Sequence, residues 1–243
     1  MTKLKIMPKN SKETQMPQCV QTSVMTSALS EVHNMDCIEL MRQYPDNYFD
    51  LAIVDPPYGM TKNTYGSGSK GIKANFDCHK KNHREWDIAP NKEYFNELKR
   101  VSKNQIVWGA NHFISSLPFD SSCWLVWDKD NTGDFADCEL AWTSFNTAVR
   151  KFEFRWNGML QGNMKNKETK IHPTQKPVRL YDWILKNYAK EHQIILDTHL
   201  GSGSSRISAN KAGVSFIGCE INKEYFDKSQ KRYKDFVAQT RLF

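Results

Sequence analysis

The chain has 243 residues, with 34 lysines and arginines against 27 aspartates and glutamates, so its formal net charge is +7 at pH 7. This length suits one α/β domain with a full core and leaves little room for a second independent domain. No apolar stretch reaches the roughly 20 residues of a membrane-spanning helix, and the polar amino terminus is unlike a secretory signal. We therefore expect a soluble cytoplasmic protein with no membrane partner, whose excess of positive charge favours a polyanionic one.

Strand-like and helical segments alternate along most of the chain. Residues 1–28 are rich in polar residues and Met without periodicity, and are predicted to be a mobile extension before a domain at 29–243. Strands are predicted at 49–54, 105–109, 123–127, 138–145, 150–156, 193–197 and 214–219, and helices at 35–43, 92–102, 177–189, 203–212 and 222–238. This alternation predicts an α/β fold with a single doubly wound, mostly parallel sheet and an antiparallel edge strand.

The first candidate for chemistry is the segment Asp55-Pro56-Pro57-Tyr58, which ends the strand at 49–54. Pro56 cannot donate to a strand ladder and fixes its own φ, so the neighbouring carbonyl is held outward. A carboxylate, a rigid carbonyl and an aromatic ring at one strand end suit chemistry on an amino group, whose hydrogens need acceptors. The alternative is an ordinary turn without function.

A long segment at 59–91 follows this motif and is rich in Gly, Lys, His and Asn. A loop of such length in a compact domain is functional or disordered, and its glycine-rich part at 66–71 reads equally well as a flexible tether or as a phosphate-binding loop. Cys78, His79 and His83 lack a second paired cluster, so no metal site is predicted. The six cysteines show no paired spacing, which is typical of reduced thiols.

A second candidate site begins where the predicted strand at 193–197 meets a glycine turn and a helix. Gly201 and Gly203 let the backbone approach a ligand, and the helix start favours a carboxylate or phosphate. Arg206 stands where a dinucleotide fingerprint requires a third glycine, which disfavours a dehydrogenase that binds NAD. Glu220 ends the next strand, where it can bind both hydroxyls of a ribose.

These motifs resemble, over most of residues 30–238, the amino-directed DNA methyltransferases that use S-adenosylmethionine, in the permuted order with the catalytic motif before the cofactor turn. Asp55 through Tyr58 is similar to the family's catalytic motif, Asp197 through Gly203 to its cofactor turn, and Phe216 through Glu220 to its ribose-binding strand. Residues 35–40 and 172–177 resemble two further cofactor motifs. The cofactor-binding residues that the resemblance implies are Asp36, Cys37, Thr174, Lys176, Pro177, Asp197, Leu200, Gly201, Ser202, Gly203, Ser204, Glu220 and Ile221.

The resemblance implies a Rossmann-like methyltransferase fold, S-adenosylmethionine as cofactor and DNA as partner, as in restriction-modification systems. The catalytic residues would be Asp55, Pro56, Pro57 and Tyr58, and the expected reaction methylates the N6 amine of adenine after the base is flipped out. The aspartate favours adenine, since serine is frequent there in cytosine enzymes and asparagine occurs in a glutamine-modifying class. The alternatives are N4 of cytosine and a nucleic-acid-binding protein of the same fold without turnover.

The chain departs from the family pattern in two places. Thr198 and His199 stand where family members commonly carry Pro and Phe. The segment at 157–171 is short for a target-recognition region, so we predict that 59–91 and 157–171 together serve DNA recognition. A homodimer is a further partner that would add DNA contacts.

Overall fold

The computed structural model describes residues 28–59, 87–117, 120–130, 136–157 and 160–240. The predicted extension at 1–28, except its last residue, and most of the predicted DNA-recognition loop at 59–91 lie outside the described residues. The cysteine and histidines considered above as metal ligands lie outside them as well.

The described strands and helices follow the predicted alternation. The strands are β1 (Ser30–His33), β2 (Phe49–Val54), β3 (Ser102–Trp108), β4 (Trp124–Asp128), β5 (Cys138–Thr143), β6 (Arg150–Glu153), β7 (Trp156–Asn157), β8 (Leu160–Gln161), β9 (Ile194–Asp197) and β10 (Ser215–Cys219). The helices are α1 (Cys37–Arg42), α2 (Lys92–Val101), α3 (Val178–Tyr188), α4 (Ser204–Ala212) and α5 (Lys223–Thr240). Each predicted helix is found to within two residues at either end. Strand β1 was not predicted, because its short sequence is mostly polar.

Eight strands form one sheet in the order β1, β10, β9, β2, β3, β5, β4, β6. The five from β1 to β3 are parallel to one another, and β6 is parallel to β4. Strand β5 is antiparallel to both of its neighbours, β3 and β4. The prediction of a mostly parallel sheet is confirmed, but the reversed strand lies inside the sheet and not at an edge. Residues 141–143 are buried and β4 and β6 extend the sheet beyond them.

Helices cover both faces of the sheet, and alternate residues of β2 point to opposite sides. Leu51 and Ile53 belong to the core that includes Leu180 and Ile184 of α3. Ala52 and Val54 belong to the other core cluster, which includes residues of α1 and α2. This period of two is the strand geometry that the apolar run predicts, and each large buried side chain contributes about 1.5 to 3 kcal/mol. None of the described helices is long and apolar enough to cross a membrane.

The topology brings several loops to one edge of the sheet. The carboxyl ends of β2, β3, β9 and β10 meet there because these strands are parallel. The amino end of β5 reaches the same edge because that strand is reversed. Beside it, β7 and β8 form a small antiparallel ribbon, which covers the start of the segment at 157–171 that is predicted to serve DNA recognition. The indole nitrogen of Trp156 donates to the carbonyl of Gln175 at 2.8 Å and anchors this ribbon.

Candidate active site

Asp55 lies at the carboxyl end of β2, and its side chain is only 15% exposed. The hydroxyl of Tyr58 donates to Oδ1 of this carboxylate at 2.8 Å. The ammonium of Lys176 lies 2.5 Å from its other oxygen, Oδ2. Two segments that are more than a hundred residues apart in sequence therefore meet at one carboxylate.

Lys176 is the centre of a buried polar cluster, with a side chain that is 4% exposed. Its Nζ also lies 3.0 Å from Oε2 of Glu139 on β5 and donates to the Tyr58 hydroxyl at 3.2 Å. The contact with Glu139 is an ion pair without hydrogen-bond geometry, whereas the contact with Tyr58 is a hydrogen bond. Lys129, which follows β4, pairs with the other oxygen of Glu139. Two carboxylates and two ammonium groups alternate in this chain of contacts, which we call the charge cluster (Asp55, Lys176, Glu139 and Lys129).

Three members of the charge cluster, Asp55, Lys176 and Glu139, form its inner part. Burial is the largest influence on the pKa of each of these three groups. Burial raises the pKa of Asp55, Lys176 opposes the increase and Glu139 adds to it, leaving that pKa above its ordinary value. Burial also acts to raise the pKa of Glu139, but Lys176 and Lys129 outweigh it and lower that pKa to about 2. The pKa of Lys176 is raised because Asp55 and Glu139 outweigh burial. Glu139 and Lys176 are therefore both charged at neutral pH.

The depressed pKa of Glu139 predicts how the charge cluster responds to acid. Its ionised form is stabilised in the folded state, so this stabilisation is present above the ordinary glutamate pKa and is lost as pH falls toward about 2. We expect the free energy of unfolding of a Glu139→Gln variant to change less than that of the parent as the pH falls from the ordinary glutamate pKa toward about 2. Denaturant melts at a series of acidic pH values would measure the difference, and parallel curves for the two proteins would contradict it.

The ring of Tyr58 is held by packing on several sides. It stacks on His112 with ring centroids 4.9 Å apart and planes at 16°, and it meets the edge of Phe113 at 6.0 Å. Gly109, which follows β3, has a φ of +66°, and a Cβ there would lie 2.0 Å from Cε1 of Tyr58. The position therefore requires glycine for two reasons, the backbone conformation and the closeness of the ring.

Gly109→Ala is expected to displace the Tyr58 ring and to destabilise the protein by about 1 to 3 kcal/mol more than the backbone conformation alone would. Gly213→Ala is the matched control, because Gly213 has a φ of +68° and nothing lies within 4 Å of an added Cβ. Thermal and denaturant unfolding of both variants would separate the two contributions. Equal destabilisation of the two variants would contradict the assignment of Gly109.

The predicted cofactor turn is folded around Asp197 at the end of β9. Its Oδ1 accepts from the backbone N–H of His199 at 3.0 Å, and its Oδ2 accepts from the hydroxyl of Ser205 at 2.5 Å. Burial is the main cause that raises the pKa of Asp197 to about 7. Gly201 and Gly203 both have positive φ, and the N–H of Gly203 donates to the carbonyl of Leu200 at 2.8 Å. Asp197 is thus buried beneath the turn and fixes its shape.

Glu220 lies directly after β10 and faces the turn. Its Oε2 accepts from the N–H of Gly201 at 2.9 Å and its Oε1 from the N–H of Asn222 at 2.9 Å. Burial raises its pKa above the ordinary value, while the backbone donors act in the opposite direction. A carboxylate has about four lone-pair sites, so Glu220 keeps acceptor capacity for a hydroxyl donor of a ligand.

One cavity of about 440 Å³ joins the predicted catalytic motif to the predicted cofactor turn. This volume lies within the usual range for small-molecule sites. The predicted site residues that line it are Asp55, Pro56, Pro57, Tyr58, Thr174, Lys176, Leu200, Gly201, Ser202, Ser204, Glu220 and Ile221. The cavity is also lined by Asp87, Tyr181 and Tyr225, which lie outside the predicted motifs. His172, Gln175 and His199 line it too, and they lie within predicted motifs without having been named as binding residues.

Five residues predicted to bind the cofactor lie outside the lining of this cavity, namely Asp36, Cys37, Pro177, Asp197 and Gly203. Most of them shape the elements around it. Asp36 caps α1 by accepting from the N–H groups of Ile38 and Glu39, and Pro177 and Gly203 occupy the N-cap positions of α3 and α4. Lys176 does line the cavity, but its ammonium binds the carboxylate of Asp55, because a buried charge requires a counter-ion.

Two important residues could be recognised only in part from the sequence. Glu139 interrupts an apolar strand, and that interruption was the available signal for a buried charge. Arg232 on α5 belongs to a run rich in charged residues, a pattern that by itself is typical of a solvated helix face. It donates to the carbonyl of Ser202 at 2.9 Å and to Glu168 at 2.7 Å, and so ties the cofactor turn to the segment before α3.

His199 contributes an aromatic wall to the cavity. Its ring meets Tyr94 edge-on at 5.4 Å, and its Nδ1 lies 2.9 Å from the hydroxyl of Thr198. Burial lowers the pKa of His199 to about 4, so the ring is neutral at neutral pH. Within the residues that the structure describes, no group of three or more His, Cys, Asp or Glu side chains is arranged to hold a metal ion.

Comparison with known proteins identifies relatives across most of the chain. A family model for N6/N4 methyltransferases, described as DNA methylase, matches residues 107–231, just over half of the chain. The Type II methyltransferase M.HinfI of Haemophilus influenzae is 24% identical, with 85% of this chain and 69% of that protein covered.

Two solved structures share the fold. The crystal structure of an M1.HpyAVI-SAM complex has a TM-score of 0.52 and 20% identity, with 83% of this chain and 98% of that one covered. The PvuII DNA methyltransferase, described as cytosine-N4-specific, has a TM-score of 0.53 and 15% identity, with 88% and 93% covered. The match extends over nearly the whole length of both structures.

Proposed function

Since this chain belongs to the family of S-adenosylmethionine-dependent DNA amino-methyltransferases, we propose that its target is the exocyclic N6 amine of adenine in DNA. The chain is a DNA methyltransferase of the N6/N4 type, and the choice of adenine is the part we propose. The observation that supports a methyl-transfer site is the shared cavity, which Asp55, Gly201 and Glu220 all line.

The choice between adenine and cytosine rests on the catalytic motif. Asp55 is the acid that favours adenine by the family resemblance, whereas the fold does not discriminate, since a cytosine-N4-specific enzyme shares it. Both target amines carry two hydrogens and a lone pair that is delocalised into a ring. The N4 amine of cytosine is therefore the second candidate.

The residues present fit an adenosyl cofactor with a charged amino-acid end. Glu220 retains acceptor capacity for ribose hydroxyls, and the glycine turn leads into the amino end of α4, which favours a carboxylate. Leu200 and Ile221 add apolar surface to the cavity wall. When bound, S-adenosylmethionine supplies a methyl group on a positively charged sulfur. Contacts from residues beyond the cavity lining, Asp36 and Cys37 among them, remain proposals.

The catalytic motif would activate the target amine by accepting its hydrogens. The Asp55 carboxylate and the Pro56 carbonyl are the two acceptors, and together they favour a pyramidal nitrogen with an available lone pair. Lys176 opposes the effect of burial and so helps to keep Asp55 ionised. The base must leave the duplex to reach this carboxylate, and Tyr58 would stack on it. After transfer, Asp55 is the acceptor for the proton that leaves the nitrogen.

Tyr58→Phe and Tyr58→Ala are expected to separate two roles of the tyrosine. Phenylalanine keeps the stacking surface but removes the hydroxyl between Asp55 and Lys176, so kcat should fall roughly 10-fold or more with little change in KM for DNA. Alanine also removes stacking worth about 1 to 3 kcal/mol, so KM should rise as well. Steady-state kinetics of both variants would test this, and identical kinetics would contradict the division of roles.

DNA as the partner agrees with the positive charge of the chain and with the cytoplasmic location expected from sequence. The segment after Trp156 is a proposed DNA-contact element, where Leu160 and Met164 are large apolar side chains that are exposed. A homodimer remains part of the proposal, and sedimentation of the protein with and without DNA would measure it.

The function is tested by mass spectrometry of nucleosides. Unmethylated plasmid DNA of mixed sequence is incubated with the protein and methyl-labelled S-adenosylmethionine, then digested. Labelled N6-methyldeoxyadenosine is the expected product. Labelled N4-methyldeoxycytidine would show that the target is cytosine and not adenine. DNA binding without any labelled nucleoside would identify a binding protein that lacks turnover.

A further inference from the structure

We propose that Glu139 is a positioning residue that gives the inner charge cluster a net negative charge, so that Asp55 and not Lys176 dominates the field at the target amine. This inference rests on the proposed function. Glu139 touches neither reacting group, and it acts through Lys176, which it shares with Asp55.

The charges of the inner cluster can be summed from its contacts. Asp55 and Glu139 each carry one negative charge and Lys176 one positive charge, so these three groups sum to −1. Without Glu139, Asp55 and Lys176 would form a neutral pair. Lys129 pairs with Oε1 of Glu139 and not with Asp55, so its positive charge lies further from Asp55 than that of Lys176, and it brings the sum of all four groups to zero.

The net negative charge of the three inner groups matters because positive charge develops on the target nitrogen during the reaction. The nitrogen lone pair forms the new bond to the methyl carbon, and the carbon–sulfur bond breaks with its electron pair remaining on sulfur. The nitrogen becomes positive until its proton passes to the Asp55 carboxylate. A carboxylate stabilises this developing charge, whereas an ammonium 2.5 Å from that carboxylate opposes it. Glu139 cancels the opposing charge.

The other groups that face the cluster do not supply this negative charge. Tyr58 and Tyr181 carry buried phenols whose pKa values are raised well above the ordinary value, so both are neutral. The Trp108 ring lies 5.6 Å from Nζ of Lys176. Asp197 lies near enough for the charge of Asp55 to raise its pKa, but it is held beneath the cofactor turn by Ser205. Glu139 is therefore the carboxylate that contacts the lysine alongside Asp55.

Glu139→Gln keeps the shape of the side chain and removes its charge. We expect kcat to fall roughly 10- to 100-fold, while the Kd for S-adenosylhomocysteine measured by calorimetry stays within about twofold. Because Glu139 raises the pKa of Asp55, its neutralisation should move the acidic limb of the kcat profile to lower pH. Glu139→Asp should restore part of the rate, and Glu153→Gln, on an exposed side chain of β6, is the matched control.

Lys129→Gln gives a second test with the opposite sign. This change removes the ammonium that pairs with Glu139, so the negative charge of Glu139 acts more strongly on Asp55. The pKa of Asp55 should therefore rise, and the acidic limb of the kcat profile should move to higher pH. This variant keeps both carboxylates and Lys176, and it tests the proposal even where Glu139→Gln fails to fold. A limb that stays in place in either folded variant would overturn the proposal.

Carbon-13 NMR of the Asp55 carboxylate separates failure of this inference from failure of the proposed function. Its titration in the parent, Glu139→Gln and Lys129→Gln reports the coupling directly, whichever base is methylated. Shifts of opposite sign in the two variants are expected. Active enzyme with an unmoved Asp55 titration would overturn the role of Glu139 alone, whereas the absence of any methylated nucleoside would overturn the proposed function.

Discussion

Replacing Lys176 with methionine is expected to destabilise the protein by about 3 to 5 kcal/mol and to lower methylation at neutral pH at least roughly 100-fold. The change leaves Asp55 and Glu139 as neighbouring buried carboxylates without the ammonium that lies between them. Breaking a buried ion pair from one side is costly because the charge of Asp55 then loses its paired ammonium, whereas Glu139 keeps Lys129. The methionine itself fills a similar volume, so packing should change little.

The pH dependence of the Lys176→Met variant identifies the cause of its lost activity. Lys176 opposes the increase in the pKa of Asp55 that burial produces, so that pKa should rise further in the variant. The ionised carboxylate is the active form. As the pH falls, the variant should therefore lose activity at a higher pH than the parent does, and its activity should recover in part when the pH is raised. A loss of rate that is equal at every pH would contradict this account.

A matched control separates the buried lysine from lysines in general. Lys231→Met removes an exposed ammonium that pairs with Asp235 on α5, and the side chain of Lys231 is 78% exposed. Surface pairs of this kind contribute about 0 to 1 kcal/mol, so its stability and kinetics should stay close to those of the parent. Urea unfolding and kcat profiles of both variants would make the comparison.

Asp55→Ala is expected to lower methylation about 1000-fold while cofactor binding is retained. The change removes the acceptor for the target amine and for its proton. Lys176 still has Glu139 as a counter-ion, so the fold should persist. The residues of the cofactor turn, Gly201 and Glu220, keep their mutual hydrogen bond, which does not involve Asp55.

Transfer of labelled methyl groups to DNA and calorimetric binding of S-adenosylhomocysteine measure the two expectations for Asp55→Ala. Asp46→Ala is the control, because Asp46 is a largely exposed carboxylate that pairs with Arg100. Methylation that persists in Asp55→Ala at a rate near that of the parent would show that the catalytic acceptor lies elsewhere.

The edge of the sheet at which the site forms could be predicted from local patterns. The apolar run of β2 ends at Asp55, and β9 ends at the glycine turn, so parallel pairing alone places both at one edge. The helices followed from their apolar periodicity. The position of β5 could not be read in the same way, because antiparallel pairing with β3 and β4 depends on contacts between distant segments.

The direction of individual side chains was less accessible than the position of the motifs. Lys176 lies in a motif assigned to the cofactor by resemblance, yet its ammonium binds Asp55 and Glu139. The direction of the Lys176 side chain depends in part on Glu139 of β5, and the position of β5 in the sheet could not be predicted from the sequence. The stacking of Tyr58 on His112 and the hydrogen bonds of Arg232 are likewise contacts between distant elements.

The most direct test of the shared cavity is a crystal structure with sinefungin, a cofactor analogue that carries an amine in place of the transferable methyl. The site predicts that its ribose hydroxyls bind Glu220 and that its amine lies within roughly 6 Å of the Asp55 carboxylate, leaving room for one target nitrogen between them. Sinefungin bound away from Glu220, or with its amine directed away from Asp55, would contradict the account.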